Sequence, residues 1–289
     1  HAEGQRIDGG AVRGGDRDRP VRIHVRTGRG ADGQVERVPG GWRQVLPSVY
    51  ARRIHGATPI AIAGPARGAP ALRTAADPDG VLVLGTFANC AMGVTPWGTY
   101  LACEENFHGY FGGDANGAFK ASSATRRYNL APGRQWADFW RHDERFDLNR
   151  HPHEPNRFGW VVEIDPMDPQ SVPVKRTALG RKAQESATCV STRDGRLAVY
   201  MGDDTRFEYI YKFVSKALWD AADVGKGHVA GQKYMGEGTL YVAKFNADGS
   251  GTWVELTHGK NGLDASNATY AFADQADVVV HARLAGDVA

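Results

Sequence analysis

Short strand-like runs separated by turn residues are the feature that most constrains how this chain can fold. Most of the runs are rich in β-branched and aromatic residues, and turn signals such as "DPDG", "RDG" and "NADGSG" fall between them. The pattern predicts strands over 81–87, 98–104, 159–165, 172–179, 196–203, 208–214, 238–245 and 251–256. The sequence therefore predicts an all-β fold.

Pairs of these runs recur along the chain at intervals that are typical of the blades of a β-propeller. We therefore predict a β-propeller, with a β-sandwich as the alternative. In a propeller the innermost strand of each blade faces a central channel. Single residues from distant segments can then meet at one site.

The region before residue 41 has a different composition. Residues 1–40 are crowded with Gly, Arg and Asp and contain one alternating run, "VRIHVR". This composition predicts a flexible lead-in, followed by a β domain over residues 41–289. Two helices are expected, one over Ser215–Asp223 with Ser215 as its N-cap and a short one within 135–146.

Overall composition narrows the class of protein. The chain has 289 residues, of which 42% are hydrophobic and 24% charged, and its formal net charge is +2. These values indicate a globular protein and argue against a surface that neutralises many phosphates of a nucleic acid. The apolar runs are shorter than the roughly 20 residues that span a bilayer, so no membrane anchor is expected.

A thiol and two carboxylates follow one another in "LACEENF", where a predicted strand ends. Cys103, Glu104 and Glu105 combine soft and hard donors, a mixture that suits a transition ion such as iron, while carboxylates alone suit calcium. The alternative is that Cys103 lies in the core and the two glutamates are solvated at the strand end. Cys90 and Cys189 are predicted to be small buried hydrophobic residues.

Further acidic residues occur at two other places. Glu185 follows two cations in "RKAQESATCV", and Asp203 and Asp204 end a predicted strand. Aspartate pairs at strand ends either form turns or bind calcium. Arg206 follows that pair and offers a fork of donors that can bind phosphate.

The longest motif, "NCAMGVTPWGTYLACEENFHGYFG" at 89–112, resembles the signature of the PhoX-type alkaline phosphatases, bacterial phosphomonoesterases that depend on calcium and iron. Segments at 157–169, 174–181, 199–214 and 238–253 resemble the same family in the same order. The resemblance covers the chain from about residue 42 onward. It implies a β-propeller, six-bladed in the family and incomplete in this chain, with iron and calcium as cofactors.

The resemblance also implies roles for individual residues. Cys103 matches an iron-binding cysteine and Glu185 a metal-binding glutamate, while Gln184 stands where the family commonly has His. The predicted metal ligands are Cys103, Glu104, Glu105, Glu185, Asp203 and Asp204, of which the first four are also predicted to be catalytic. We expect Arg206 to contact the phosphate.

The resemblance predicts hydrolysis of small phosphate monoesters by an exported, periplasmic or extracellular enzyme that is monomeric at full length. The family continues into an Asp-Arg-Pro-Glu motif that lies beyond Ala289. We therefore expect this piece to be poorly active alone. Two alternatives are a calcium-stabilised propeller esterase or lactonase, which would need no thiolate ligand, and a non-catalytic secreted binding propeller whose acids hold structural calcium.

Overall fold

The computed structural model describes the backbone of three short stretches, 22–23, 35–38 and 41–44, and residues 49–133, 136 and 138–289. The predicted lead-in over residues 1–40 lies largely outside the described residues. Within it, β1 (Arg22–Ile23) pairs with β4 (Ile54–His55), and β2 (Val35–Val38) pairs with β3 (Gly41–Gln44). The described part of the chain is mostly β and contains two larger sheets.

The first large sheet has six strands in the order β6, β5, β10, β9, β8, β7. Neighbouring strands are antiparallel, except that β10 runs parallel to β5. Strands β8 and β9 lie in the interior of this sheet and are buried along their whole length. The strand bounds are β5 (Pro59–Ala63), β6 (Leu82–Leu84), β7 (Asn89–Val94), β8 (Tyr100–Glu104), β9 (Val161–Ile164) and β10 (Val174–Arg176).

The second large sheet is a five-stranded antiparallel meander in chain order. Its side chains alternate between a buried face and an exposed face, as along β13, where Tyr211 and Phe213 are buried. The strand bounds are β11 (Gln184–Ser191), β12 (Arg196–Asp203), β13 (Ile210–Leu218), β14 (Gly238–Phe245) and β15 (Gly251–Glu255).

The two sheets meet where β7 packs against β11. A Cβ added to Gly93 of β7 would lie 1.8 Å from the carbonyl oxygen of Ala187 in β11, so the two backbones touch at a position that only glycine allows. Both strands are irregular at this junction. The register of β7 shifts between Asn89 and Met92, and that of β11 shifts between Gln184 and Ala187.

Four α-helices lie within the described residues: α1 (Ser123–Arg127), α2 (Gly227–Met235), α3 (Gln275–Val280) and α4 (Ala282–Val288). The buried Val278, Val279 and Val280 of α3 and Leu284 of α4 belong to the hydrophobic core. None of the described helices has the length and apolar character needed to cross a membrane.

The helix predicted over Ser215–Asp223 is wrong for most of its length. Ser215 lies inside β13, where its buried hydroxyl accepts a hydrogen bond from the backbone N–H of Leu197 at 3.0 Å. Because burial alternates along the strand up to Ser215, the strand continues through the predicted N-cap. Only a 3₁₀ turn at Ala221–Asp223 is helical, and the segment 135–146 forms two 3₁₀ turns in its described part.

Each of the predicted strand runs contains or overlaps a strand: β12 and β14 match their predicted bounds, and β13 extends past the predicted end at 214 to Leu218. Strands β5, β7 and β11 were not predicted. In β7 and β11 small, polar and sulfur-containing residues break the apolar alternation, so neither segment has a clear strand pattern. These two strands hold the cluster described next.

Candidate metal centre

The bulges in β7 and β11 bring a cysteine and a glutamate from different sheets together. The thiol of Cys90 donates a hydrogen bond to Oε1 of Glu185 across 3.5 Å. Glu105, the first residue after β8, joins them because its backbone N–H is held by the carbonyl oxygen of Ala88 at 2.9 Å. One donor atom from each of Cys90, Glu105 and Glu185 lies within 4.8 Å of the other two.

Negative charge is concentrated in this cluster. Burial raises the pKa of Cys90 to about 12, with further contributions from a hydrogen bond to Glu105 and from the charges of Glu105 and Glu185. The pKa of Glu105 is also raised, first by burial, then by a hydrogen bond with Asp204, and less strongly by the charge of Glu185. Proton binding is therefore the protein's own means of relieving the repulsion among these acids.

The cluster contains an atom that lacks a partner. Oε2 of Glu185 is buried and accepts no hydrogen bond from the described residues. No ion pair within the described part of the chain joins Glu105 or Glu185 to a lysine or arginine. A buried carboxylate oxygen without a donor or cation is costly, and a metal ion would satisfy it.

The donor set fits metal binding. A cysteine sulfur suits a transition ion, and the oxygens of Glu105, Glu185 and the adjacent Asp204 suit either such an ion or calcium. Asp204 follows β12 and is exposed, and a side-chain hydrogen bond with it contributes to the raised pKa of Glu105. The cluster defined by Cys90, Glu105, Glu185 and Asp204 is the candidate metal centre.

Cys103 was expected to bind iron, but the structure brings Cys90 to the cluster instead. Cys103 pairs with Val161 of β9, has no exposed surface and belongs to the hydrophobic core. Burial is the main cause that raises the pKa of its thiol, partly opposed by the charge of Lys182. These surroundings are typical of a structural cysteine, although Cys103 is near enough to Cys90 and Glu185 for their charges to raise its pKa further.

The hydrogen-bond partners of Glu104 lie outside the cluster. It is completely buried, and its Oε1 accepts a hydrogen bond from Lys175 Nζ at 2.7 Å. Its Oε2 accepts hydrogen bonds from the backbone N–H groups of Gly159 at 3.0 Å and Trp160 at 3.1 Å. Both oxygens already have donors, so in this structure Glu104 compensates a buried lysine.

Asp203 and Asp204 are adjacent in sequence but differ in their partners. Asp203 is buried, and both of its carboxylate oxygens accept hydrogen bonds from Arg283, each at 2.7 Å. Asp204 instead faces Glu105. The two predicted ligands therefore have different surroundings. Asp203 is in an ion pair with Arg283, and Asp204 is beside the cluster.

Arg206, the expected phosphate contact, is exposed. Its guanidinium carbon lies 5.6 Å from the centre of the Phe207 ring. No described contact joins Arg206 to Cys90, Glu105 or Glu185.

Sequence reasoning missed Cys90. The available signal was the contrast between the two cysteines, since Cys103 ends the apolar run "TYLAC" whereas Cys90 follows Asn89 in a mixed segment. The bulge that turns Cys90 toward Glu185 leaves no clear mark in the sequence.

A model of the family "Alkaline phosphatase PhoX" matches residues 18–289. The chain belongs to the PhoX alkaline phosphatase family. Among solved structures it is similar to Pseudomonas fluorescens PhoX in complex with vanadate, a transition state analogue, with 51% sequence identity and a TM-score of 0.82. That match covers 88% of this chain and 44% of the PhoX chain. The chain thus spans less than half the length of that relative, and no curated protein matches it.

Proposed function

We propose that this PhoX-family chain contributes the metal-binding part of a phosphatase that hydrolyses phosphate monoesters. The observation that carries the proposal is the convergence of Cys90, Glu105 and Glu185, whose donor atoms lie within 4.8 Å of one another. Family membership supports the reaction class. The vanadate bound by P. fluorescens PhoX, a transition state analogue, supports a phosphorus-centred substrate.

Iron and calcium are the proposed cofactors. The sulfur of Cys90 favours iron, and the carboxylates of Glu105, Glu185 and Asp204 are suited to share further ions that include calcium. When bound, the metal ions supply positive charge that binds the phosphoryl group and offsets the charge of the transition state.

The residues of the cluster have separate tasks. Cys90 would lose the proton on Sγ on becoming a ligand, and a metal ion at Glu105 would compete with the proton that the raised pKa of that residue favours. Glu185 is the donor that needs the least rearrangement, because its buried Oε2 lacks a partner among the described residues. Arg206 remains our proposed phosphate contact because its exposed guanidinium lies two residues after Asp204.

The wider architecture is also a proposal. We infer that residues 41–289 form part of the β-propeller that the family resemblance implies; their two large sheets and the TM-score of 0.82 support this view. The complete enzyme is proposed to be exported and monomeric and to act on small phosphate monoesters. The exposed Asp204 is consistent with a site that such a substrate can reach.

The test compares two cysteine substitutions that make the same chemical change. Cys90→Ser and Cys103→Ser proteins, purified in parallel with the wild type, are analysed for iron and calcium by mass spectrometry and assayed with p-nitrophenyl phosphate. We expect Cys90→Ser to lose iron and whatever hydrolysis the wild type has. Cys103→Ser should keep its metal and lose only stability, because a hydroxyl replaces a buried thiol.

Three outcomes would contradict the proposal in different ways. Loss of iron in Cys103→Ser alone would restore the original ligand assignment. Calcium without iron in the wild type would favour a calcium-stabilised propeller of another kind. Absence of both metals from the wild type would remove the metal centre.

A further inference from the structure

The loop 203–208 begins at the last residue of β12 and carries Asp204. Hydrogen bonds hold this loop both before and after Asp204. On the near side, Arg283 of α4 donates from Nε to Oδ2 and from Nη2 to Oδ1 of Asp203, each at 2.7 Å. On the far side, Nη2 also donates to Oγ1 of Thr205 at 2.8 Å. One guanidinium therefore hydrogen-bonds both to the residue before Asp204 and to the residue after it.

The guanidinium of Arg283 is held in one orientation because it is buried. The side chain of Arg283 is 3% exposed, and its guanidinium carbon lies 5.0 Å from the centre of the buried Tyr128 ring. Nη1 of Arg283 donates to the carbonyl oxygen of Arg127 at 2.6 Å. The third nitrogen of the guanidinium therefore also has a partner. A planar guanidinium held at all three nitrogens has little freedom to rotate.

The end of the loop is anchored by a second arginine. Arg127 of α1 donates from Nη2 to Oε2 of Glu208 at 3.0 Å and from Nε to Oδ2 of Asp287 at 2.7 Å. Asp287 belongs to α4, as Arg283 does, so both anchors involve the same helix. The helices α1 and α4 together hold the loop at each end.

The loop has a strained residue between its anchors. Phe207 has φ +67°, and its turn is closed by a hydrogen bond of 3.0 Å from the Glu208 N–H to the Thr205 carbonyl oxygen. A left-handed backbone costs a bulky residue roughly 1 kcal/mol or more, and such a conformation persists only where the surroundings impose it. The ring is 95% exposed, so side-chain packing does not impose it. The anchors at Thr205 and Glu208 do.

We propose that Arg283 is a positioning residue for the candidate metal centre, holding Asp204 against Glu105 through its bonds to Asp203 and Thr205. This role rests on the proposed function, because Asp204 matters only if the cluster binds metal. The inference gives Asp203 the task of locating its neighbour, in place of the metal-binding role that the sequence suggested. It also makes α4, which contributes no donor to the cluster, a determinant of metal affinity.

The experiment is a double-mutant cycle read by cobalt(II) binding to the metal-free chain. A thiolate-to-cobalt charge-transfer band reports Cys90 independently of any turnover. We expect Arg283→Gln to weaken cobalt binding about 10- to 100-fold, the usual size of an effect on residues that orient a ligand. Asp204→Asn should weaken it by at least as much. The double variant should bind cobalt no more weakly than Asp204→Asn alone, because Arg283 acts through Asp204.

Two further variants keep the test decisive if Arg283→Gln folds poorly. Thr205→Val removes only one of the loop bonds, and we expect a smaller loss of affinity in the same direction. Arg176→Gln is the matched control, since Arg176 is an equally buried arginine whose ion pair with Glu163 does not involve the loop. It should lower stability while leaving cobalt affinity unchanged.

The possible results separate the two proposals. Additive losses in the double variant, or an equal loss in Arg176→Gln, would overturn the positioning role and leave the metal centre intact. A wild-type chain that gives no thiolate-to-cobalt band would overturn the metal centre itself, and the role of Arg283 with it.

Discussion

Two groups of acids in this molecule differ in how their negative charge is compensated. In the first sheet, Glu163 accepts hydrogen bonds from Trp97 Nε1 at 2.8 Å, Thr99 Oγ1 at 2.7 Å and Arg176 Nε at 2.8 Å. Glu104 in the same sheet has Lys175 and two backbone N–H groups. In the candidate metal centre, the acids have a thiol, the side chain of Asn106 and one another.

The pKa values of Glu163 and Glu105 follow this difference, whereas burial raises the pKa of Glu104 in spite of the charge of Lys175. Burial alone would raise the pKa of Glu163, but His228, the charge of Arg176 and the hydrogen bonds of Thr99 and Trp97 lower it to about 2. For Glu105, burial raises the pKa and the neighbouring Asp204 raises it further. The first group is neutralised by the chain itself, whereas the second requires protons or an external cation. Burial of acids alone does not indicate a metal site; the absence of an internal cation does.

Among the substitutions that test this contrast, Glu163→Gln should have the largest effect on stability. The substitution leaves Arg176 buried without its carboxylate, so we expect the free energy of unfolding to fall by about 3–5 kcal/mol. Urea denaturation followed by circular dichroism measures the change. Glu237→Gln is the matched control, because Glu237 pairs with Lys216 on the surface and both side chains are largely exposed. If the two variants lost the same stability, the buried pair would have no special role.

Glu185→Gln makes the same chemical change in the candidate metal centre. Its effect on stability should have the opposite sign. In metal-free protein it removes one of the mutually repelling acids, and we expect the free energy of unfolding to rise by about 1 kcal/mol. The same variant should lose the increase in melting temperature that added metal ions give the wild type, since a ligand of the folded state stabilises it. Destabilisation of the metal-free protein would mean that Glu185 has a cationic partner.

The smallest expected effect is a difference in pH dependence. The folded state raises the pKa of Glu105 above its ordinary value of 4.5, so the metal-free protein keeps this contribution to stability below that value and loses it as the pH rises through the raised pKa. Glu163 behaves inversely, because its folded pKa is about 2 and its contribution is lost only as the pH falls toward that value.

Unfolding free energies measured in chelator from about pH 4 to pH 8 should therefore decline more for the wild type than for Glu105→Gln. Glu237→Gln should retain the wild-type slope, since its carboxylate is remote from the cluster and exposed. Identical slopes in the wild type and in Glu105→Gln would show that Glu105 does not hold a proton in the folded state.

The sequence alone was enough to predict those parts of the structure that the local pattern of residues decides. Turn residues and alternating apolar residues located strands such as β12 and β14, and the motif around "LACEEN" placed Glu105 near the site. Alternation along a continuous strand would put Cys103 and Glu105 on one face, but β8 ends at Glu104, so Glu105 lies outside the strand. Strict alternation holds only while a strand is regular.

The remaining parts of the site depend on contacts between distant residues. Cys90 and Glu185 are 95 positions apart, and Asp203 and Arg283 are 80 positions apart. Which of two adjacent aspartates meets an arginine is decided by the docking of α4, for which the sequence around Asp203 and Asp204 has no signal. A register shift and the docking of a helix are tertiary effects, and a single sequence does not specify them locally.

The close approach of β7 to β11 at Gly93 has a consequence for the order of events as the protein matures. Main-chain contact, and not a choice of side-chain rotamers, sets the separation between the strands that carry Cys90 and Glu185. The entropy of gathering these donors is therefore lost when the polypeptide folds, before any ion arrives. The proposed metal centre would therefore be loaded after folding, and it would exchange its ions without requiring the fold to open.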